Sequence, residues 1–336
     1  MKHLPVLLVL LIPAVAAAQQ RGITAAPAVA RAYDLILNAD FDGLVKALPS
    51  TCPPAPSVAC LGLEALSLWW QIQLDPDSKT LDAPFLAKVN AAISEAEQLT
   101  AARPESAQSW FYLGAAYGVR AQFRVHRGER LAAARDGKRI KQSLERALAI
   151  DPEMHDAEFG IGMYRYYAAV APAYFRFLRF LLLLPGGDRE DGLRQLERAA
   201  TRGVLVSGEA RYQIHILYLW YEKKLPQALD IIRDLQKRYP RNPLLRQIEA
   251  EMLDVYFHDP AASLKASEQL LSLAANGGVE RADIADVVAR LNIARQSIAL
   301  KEPQRAAREL DHLIEQQPRA PSGALTRARA LRRMLP

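Results

Sequence analysis

The chain has 336 residues, of which half are hydrophobic and 24% are charged, so a packed core is expected and extensive disorder is excluded. The formal net charge is +6, which is too small an excess for the dense basic surface of a nucleic-acid-binding protein. The two cysteines and six histidines form no recognisable ligand cluster, and we predict neither a metal nor a cofactor.

Residues 1–18 have the features of a secretory signal peptide. The basic start MKH precedes the apolar run LPVLLVLLIP, and Ala16 and Ala18 satisfy an A-x-A cleavage pattern. The apolar run is shorter than the ~20 residues that a membrane-spanning helix needs. The sequence therefore predicts a mature chain that begins at Gln19 and is periplasmic or secreted.

Residues 19–106 are predicted to form an N-terminal helical region that contains both cysteines. Cys52 and Cys60 bound the segment CPPAPSVAC. An even number of cysteines in an exported chain favours a disulfide bond, and two buried free thiols are the alternative.

Helical periodicity dominates the chain, whereas no segment shows the sustained alternation of a strand. Apolar residues recur three and four positions apart in KQSLERALAI, GLRQLERAA, QALDIIRDLQKRY and RAARELDHLIEQQ. The predicted fold class is therefore all-α.

An aromatic-rich helix followed by a polar-faced helix recurs along the chain. Fixed spacings connect the residues Trp110, Leu113, Gly114, Tyr117, Pro152, Gly162, Tyr212, Ala228, Pro240 and Pro318. This pattern resembles the 34-residue tetratricopeptide repeat. The resemblance implies a right-handed TPR-like α-solenoid over residues 107–320, a capping helix within 321–336 and a concave groove that binds a peptide or helix.

Two further resemblances cover other parts of the sequence. The segment LLPGGDREDGLRQLERA is similar to the matching region of the inclusion-body clearance and tetratricopeptide-repeat-39 proteins. WWQIQLDP, ARDGKRIK and YYAAVAP make the mature chain similar to uncharacterised exported bacterial repeat proteins. These resemblances imply no known activity.

Two insertions interrupt the repeat spacing. Pro104 and Pro152 are 48 residues apart, 14 more than one repeat, and Pro152 and Pro240 are 88 apart, 20 more than two. We place the insertions near residues 121–137 and 170–189. Insertions in repeat proteins form loops or longer helices, often on the binding face.

The first insertion lies in the basic stretch 118–146. The candidate ligand-binding residues there are Arg120, Arg124, Arg127, Arg135, Lys138 and Arg139. The spacing of the first three places them on one helix face, where they could bind an acidic peptide, a phosphate or a lipid head group. The alternative is a solvated face or internal ion pairing.

The second insertion contains the apolar segment 172–185, which is too short to span a membrane. It could be buried, could lie on a membrane surface or could hold an acyl chain. Tyr164, Tyr167 and Arg176 are further candidate ligand-binding residues, and Asp188 is placed to cap the following helix.

No catalytic motif is present, and no H-E-x-x-H, G-x-S-x-G or P-loop sequence occurs. We therefore predict a non-enzymatic protein-interaction scaffold of the cell envelope, whose partner is a protein or peptide. A lipid- or membrane-associated module is the alternative, and an enzyme with an unrecognised site is the third hypothesis. No oligomeric state is implied.

Overall fold

The structure is a computed structural model that describes residues 22–170 and 186–335, and every regular element in these ranges is helical. The predicted all-α class is therefore confirmed. The first helices are α1 (Ala26–Leu37), α2 (Phe41–Thr51), α3 (Ser57–Leu74) and α4 (Asp82–Ala102). A disulfide bond joins Cys52 and Cys60 between α2 and α3, which confirms that prediction. The predicted signal peptide, residues 1–18, lies outside the described residues.

The middle of the chain forms longer helices. They are α5 (Ala107–His126), α6 (Arg130–Ile150), α7 (His155–Val170), α8 (Arg189–Arg202) and α9 (Ser207–Leu217), which continues as a π-helix (Tyr218–Glu222). Residues 121–137, where the first insertion is predicted, lie in the α5–α6 hairpin, whose turn contains Gly128 at a φ of 79°. The segment 172–185 and Arg176 lie outside the described residues, as does most of the second insertion.

The remaining helices are α10 (Leu225–Arg238), α11 (Pro243–Val255), α12 (Pro260–Ala275), α13 (Ala282–Ala299), α14 (Pro303–Gln316) and α15 (Ala324–Arg332). Pro152, Pro240 and Pro318 each follow a helix end within two residues. Several helices have a side-chain cap at the N-terminus. A carboxylate or amide oxygen there accepts a hydrogen bond from a backbone N–H of the first turn that would otherwise be unpaired. Asp188 caps α8 as predicted and accepts from the Asp191 N–H at 2.9 Å.

Helices that follow one another in sequence pack against one another, from α3 to α15. Helices two positions apart also touch in the series α3, α5 and α7 and again in α11, α13 and α15. Among the described helices, no comparable contacts join α4 with α6 or α6 with α8. The odd-numbered helices are therefore closer together than the even-numbered ones in both series.

Small residues allow the close approach between paired helices. A Cβ atom at Gly162 of α7 would lie 2.7 Å from the carbonyl oxygen of Gly192 on α8. A Cβ atom at Gly114 of α5 would lie 2.5 Å from the Leu144 side chain on α6. Ala228 is fully buried, and Leu113, Tyr117 and Tyr212 are buried as well. Half-buried Trp110 donates its indole N–H to the Pro104 carbonyl oxygen at 2.8 Å.

Replacement of Gly162 with alanine is expected to destabilise the fold by about 2 kcal/mol, because the methyl group overlaps a backbone atom that cannot move alone. Gly118 of α5 is the matched control, since no atom lies within 4 Å of a Cβ atom built there. Gly118→Ala should stabilise the chain by up to about 1 kcal/mol through helix propensity. Urea denaturation followed by circular dichroism measures both changes. Equal effects of the two substitutions would contradict the close helix contact.

Helix α1 lies across the beginnings of helices that are distant in sequence. The Thr24 N–H donates to the Gln108 side chain at the start of α5 at 2.5 Å, and the Asn242 side chain before α11 donates to the Leu37 carbonyl oxygen at 2.7 Å. Tyr33 of α1 lies close to Glu209 of α9, and the two side chains interact electrostatically. The first helix therefore connects three separate helix pairs.

Helices α3 and α9 also meet directly. The Trp70 indole N–H donates to the Glu209 carboxylate at 3.2 Å, and the Trp70 and Tyr212 rings have centroids 5.0 Å apart. Gln213 of α9 donates to Gln122 of α5 at 3.0 Å. We call the surfaces of α3, α5, α7 and α9 that face one another and α1 the inner face. Side chains of this same chain cover much of it.

Candidate functional site: a basic cleft on the α5–α6 hairpin

The α5–α6 hairpin brings two arginines and one aspartate together. Arg120 donates twice to Asp136, at 3.0 and 2.8 Å, and Arg124 donates to the same carboxylate at 2.6 Å. Asp136 is 3% exposed, whereas the two guanidinium groups remain partly open to solvent. Two cations therefore share one buried carboxylate at the base of the hairpin surface.

Contacts to α4 hold Arg120 in place. Its guanidinium donates to the Asn90 side chain at 2.7 Å and lies 5.0 Å from the centre of the Tyr117 ring. Burial alone would lower the pKa of Arg120, but hydrogen bonding and charge attraction to Asp136 raise it above its ordinary value. The Tyr117 hydroxyl donates to Glu97 at 2.8 Å, so this side of α5 is fixed against α4.

Arg127 does not join this group. It donates twice to Asp82, at 2.9 and 2.7 Å, and also donates to the carbonyl oxygens of Pro76 and Ser78 at 2.7 and 2.6 Å. Arg127 thus fixes the loop between α3 and α4. The expected common binding face of Arg120, Arg124 and Arg127 is therefore not found, because each guanidinium has an internal partner.

A cleft of about 700 Å³ opens beside the shared carboxylate. Five basic side chains and one carboxylate line it, together with uncharged residues; they are Tyr117, Arg120, Arg124, Ala132, Arg135, Asp136, Lys138, Arg139 and Gln142. Arg135 and Arg139 are exposed and Lys138 is half-buried. Within the described ranges these three side chains have no hydrogen bond or ion pair. The cleft can therefore offer free cationic donors to an anionic partner.

The cleft and the inner face lie on opposite sides of α5. Tyr117, Arg120 and Arg124 face the cleft, whereas Val119 and Gln122 face α3 and α9. At 100° per residue, these two sets point in opposite directions around the helix. The basic residues therefore lie on the opposite side of α5 from the inner face.

The two candidate tyrosines lie away from the cleft. Tyr164 of α7 packs against Gly137 of α6, where a Cβ atom would lie 3.3 Å from the tyrosine ring. Tyr167 makes edge-to-face contacts with Tyr166 and Tyr221, at centroid distances of 5.9 and 5.7 Å. Burial raises the pKa of Tyr167 above its ordinary value. Both tyrosines make packing contacts in the described part of the chain, and neither is among the described residues that line the cleft.

Asp136 and Gln142 belong to the cleft but were not predicted from the sequence. Asp136 carries a weak sequence signal, because it follows Arg120 by 16 residues and a helical hairpin can bring two such positions together. Gln142 has no such signal, because a glutamine on an exposed helix face is common. Both residues follow from the geometry of the hairpin.

No protein-family model matches this chain, and no curated protein matches it. Among the helices in the described ranges, none is both long enough and apolar enough to cross a membrane. The same ranges contain no group of three or more histidine, cysteine, aspartate or glutamate residues that could hold a metal ion. The function is therefore inferred from the geometry of the cleft.

Proposed function

We propose that this protein is a non-enzymatic binding scaffold of the cell envelope that holds an acidic segment of a partner protein in the basic cleft. The observation that carries the proposal is the group of unpaired cations, Arg135, Lys138 and Arg139, around an open cleft. Carboxylate side chains fit such donors through charge-assisted hydrogen bonds. The buried Asp136 carboxylate beneath them keeps Arg120 and Arg124 in position.

We further propose that the helices form a TPR-like α-solenoid. Consecutive helix pairs, contacts between successive odd-numbered helices and the close approach at Gly114 and Gly162 support this arrangement. Because α1 and the α3–α9 contacts cover much of the inner face, we assign peptide binding to the outer cleft rather than to a concave groove.

An envelope location is part of the same proposal. The Cys52–Cys60 disulfide supports it, because such bonds persist in oxidising compartments outside the cytosol. The predicted signal peptide provides the export route. A periplasmic or secreted scaffold would meet its partner outside the cytoplasm.

The test is fluorescence anisotropy with a labelled glutamate-rich peptide at low and high salt. Wild type should bind the peptide, and added salt should weaken binding because exposed charges are screened. Charge reversal by Arg135→Glu, Lys138→Glu and Arg139→Glu together should reduce affinity more than about tenfold.

The matched control reverses three exposed basic residues on α12 and on the turns beside α14, namely Lys265, Lys301 and Arg319. This variant has the same net charge as the cleft variant, so it reports non-specific attraction. Equal loss of binding in both variants, or no binding by wild type, would refute the proposal.

A second candidate function is binding to an anionic membrane surface. The tip of the α5–α6 hairpin exposes two large apolar side chains, Val125 at 63% and Leu131 at 45%, beside the basic cleft. Basic and apolar residues together are typical of interfacial binding. Flotation with phosphatidylglycerol vesicles, lost on Val125→Asp and Leu131→Asp while peptide binding persists, would favour this candidate.

A further inference from the structure

A partly open cavity of about 110 Å³ lies on the inner face, and α1, α3, α5, α7 and α9 contribute to its wall. Most of its wall is apolar and comes from residues such as Val58, Leu63, Leu66, Val89 and Phe111. Engineered apolar cavities of ~150 Å³ stay free of water and bind small apolar molecules such as benzene. The space is therefore suited to a molecule of similar or slightly smaller size.

The cavity has a polar end. Glu209, Tyr33 and Asp156 line it. Asp156 also accepts from the backbone N–H groups of Leu205 and Val206, at 2.7 and 3.0 Å. Two carboxyl groups therefore stand at one end of an otherwise apolar space. They disfavour an anionic occupant, because an anion would lie close to the Asp156 carboxylate in a space away from water.

Tyr112 supplies an unused hydrogen-bond donor at this cavity. Its side chain lines the space and is only 7% exposed, and its hydroxyl group has no hydrogen-bond partner among the described residues. Burial, reinforced by the Asp156 carboxylate, raises the pKa of Tyr112 above its ordinary value, so the hydroxyl keeps its proton. Buried hydroxyl groups are rarely left unpaired, and this one is available to a bound molecule.

Two helical glycines keep the space open. Gly62 of α3 and Gly118 of α5 line the cavity, and no atom lies within 4 Å of a Cβ atom built at either position. Glycine inside a helix is unfavourable relative to alanine. Gly114 and Gly162 are required by close helix contacts, whereas Gly62 and Gly118 have no such packing reason. Their effect is to leave room in the cavity.

We propose that this cavity binds a small neutral molecule that combines an apolar body of about benzene size with one hydroxyl group. The ligand hydroxyl accepts a hydrogen bond from Tyr112 and donates one to a carboxyl oxygen at the polar end. Its apolar body lies against the valine, leucine and phenylalanine side chains. This site lies on the opposite side of α5 from the basic cleft and is independent of the proposed peptide binding.

Phenol is the probe that tests the proposal on the full chain, with calorimetry and thermal unfolding as the readouts. Phenol should bind with a dissociation constant of ~1 mM or tighter and should raise the melting temperature, because a ligand that binds only the folded state stabilises it. Benzoate, which has a similar size and a negative charge, should bind at least about tenfold more weakly. Absence of phenol binding, or equal binding of benzoate, would overturn the proposal.

Two variants locate the binding site. Tyr112→Phe should weaken phenol binding about fivefold while benzene binding is unchanged, because only the hydrogen bond is lost. Gly118→Leu should fill the space and abolish binding of both molecules, and Gly62→Leu serves the same purpose if the first variant does not fold. Unchanged phenol binding in the filled and tyrosine variants would show that phenol binds elsewhere and would overturn the assignment.

Discussion

Replacement of Asp136 with asparagine is expected to lower the free energy of unfolding by about 3 kcal/mol. Asp136 is 3% exposed and receives hydrogen bonds from both Arg120 and Arg124, so the substitution removes the buried counter-charge of two partly buried guanidinium groups. Arg124 keeps only a longer pair with the exposed carboxylate of Glu129, at 3.8 Å. Loss of one partner from a buried ion pair is costly because the remaining charge stays poorly solvated. Urea denaturation at neutral pH measures this change.

The matched control is Glu105→Gln, which breaks the exposed ion pair between Glu105 and Arg146. Both of those side chains are open to solvent, so the change should cost less than about 1 kcal/mol. If Asp136→Asn costs no more than Glu105→Gln, then Asp136 does not organise the cleft. Among the described residues, Asp136 is the one carboxylate that lines the cleft. Under conditions where Asp136→Asn is folded, the variant should therefore bind an acidic peptide more tightly than wild type.

Features set by local spacing were predictable from the sequence. The repeat pattern marks Gly114 and Gly162 as recurring positions, and the structure puts both against the paired helix. The all-α class follows from periodicity, and the bond between Cys52 and Cys60 follows from their number and proximity. Each of these inferences needs only residues within one or two neighbouring helices.

Features set by distant pairing were not predictable in the same way. Arg127 pairs with Asp82, 45 residues earlier, and this contact removes it from the predicted binding face. The Asn242 side chain donates to the carbonyl oxygen of Leu37, 205 residues away. Contacts between residues so far apart produce no periodic pattern in the sequence, so the position of α1 on the inner face could not be predicted. The helical sequence around Glu209 gives no sign that this residue is buried. Glu209 is buried by contacts with residues of distant helices, including Trp70 of α3 and Tyr33 of α1.

The buried carboxyl of Glu209 gives the second large expected effect, which is on stability as a function of pH. Glu209 is 1% exposed, and burial raises its pKa to about 7 although Trp70 and Gln213 donate to it. The unfolded chain releases this proton near pH 4.5, whereas the folded chain retains it until about pH 7. The contribution of Glu209 to the free energy of unfolding is therefore complete below pH 4.5. It decreases by about 3 kcal/mol as the pH rises to 7.

His215 on the same helix has the opposite effect. It is 3% exposed, and burial lowers its pKa to about 4 from an ordinary value of 6.5, although a hydrogen bond to the Tyr212 carbonyl opposes the shift. The folded chain prefers the neutral ring. The contribution of His215 to the free energy of unfolding is therefore complete above pH 6.5. It decreases by about 3 kcal/mol as the pH falls to 4. Between pH 4.5 and 6.5 the opposite pH dependences of Glu209 and His215 cancel in the wild-type protein.

Glu209→Gln should separate the two contributions, because glutamine can still accept from Trp70 and Gln213 but carries no charge. Relative to wild type, the variant should gain about 3 kcal/mol of stability between pH 4.5 and pH 8. Its own stability should rise with pH from 4 to 6.5, since the His215 effect is no longer cancelled. Urea denaturation across this pH range provides the measurement. Parallel pH profiles for the variant and wild type would show that Glu209 is already ionised in the folded chain near pH 5. That result would contradict the expectation that burial raises its pKa.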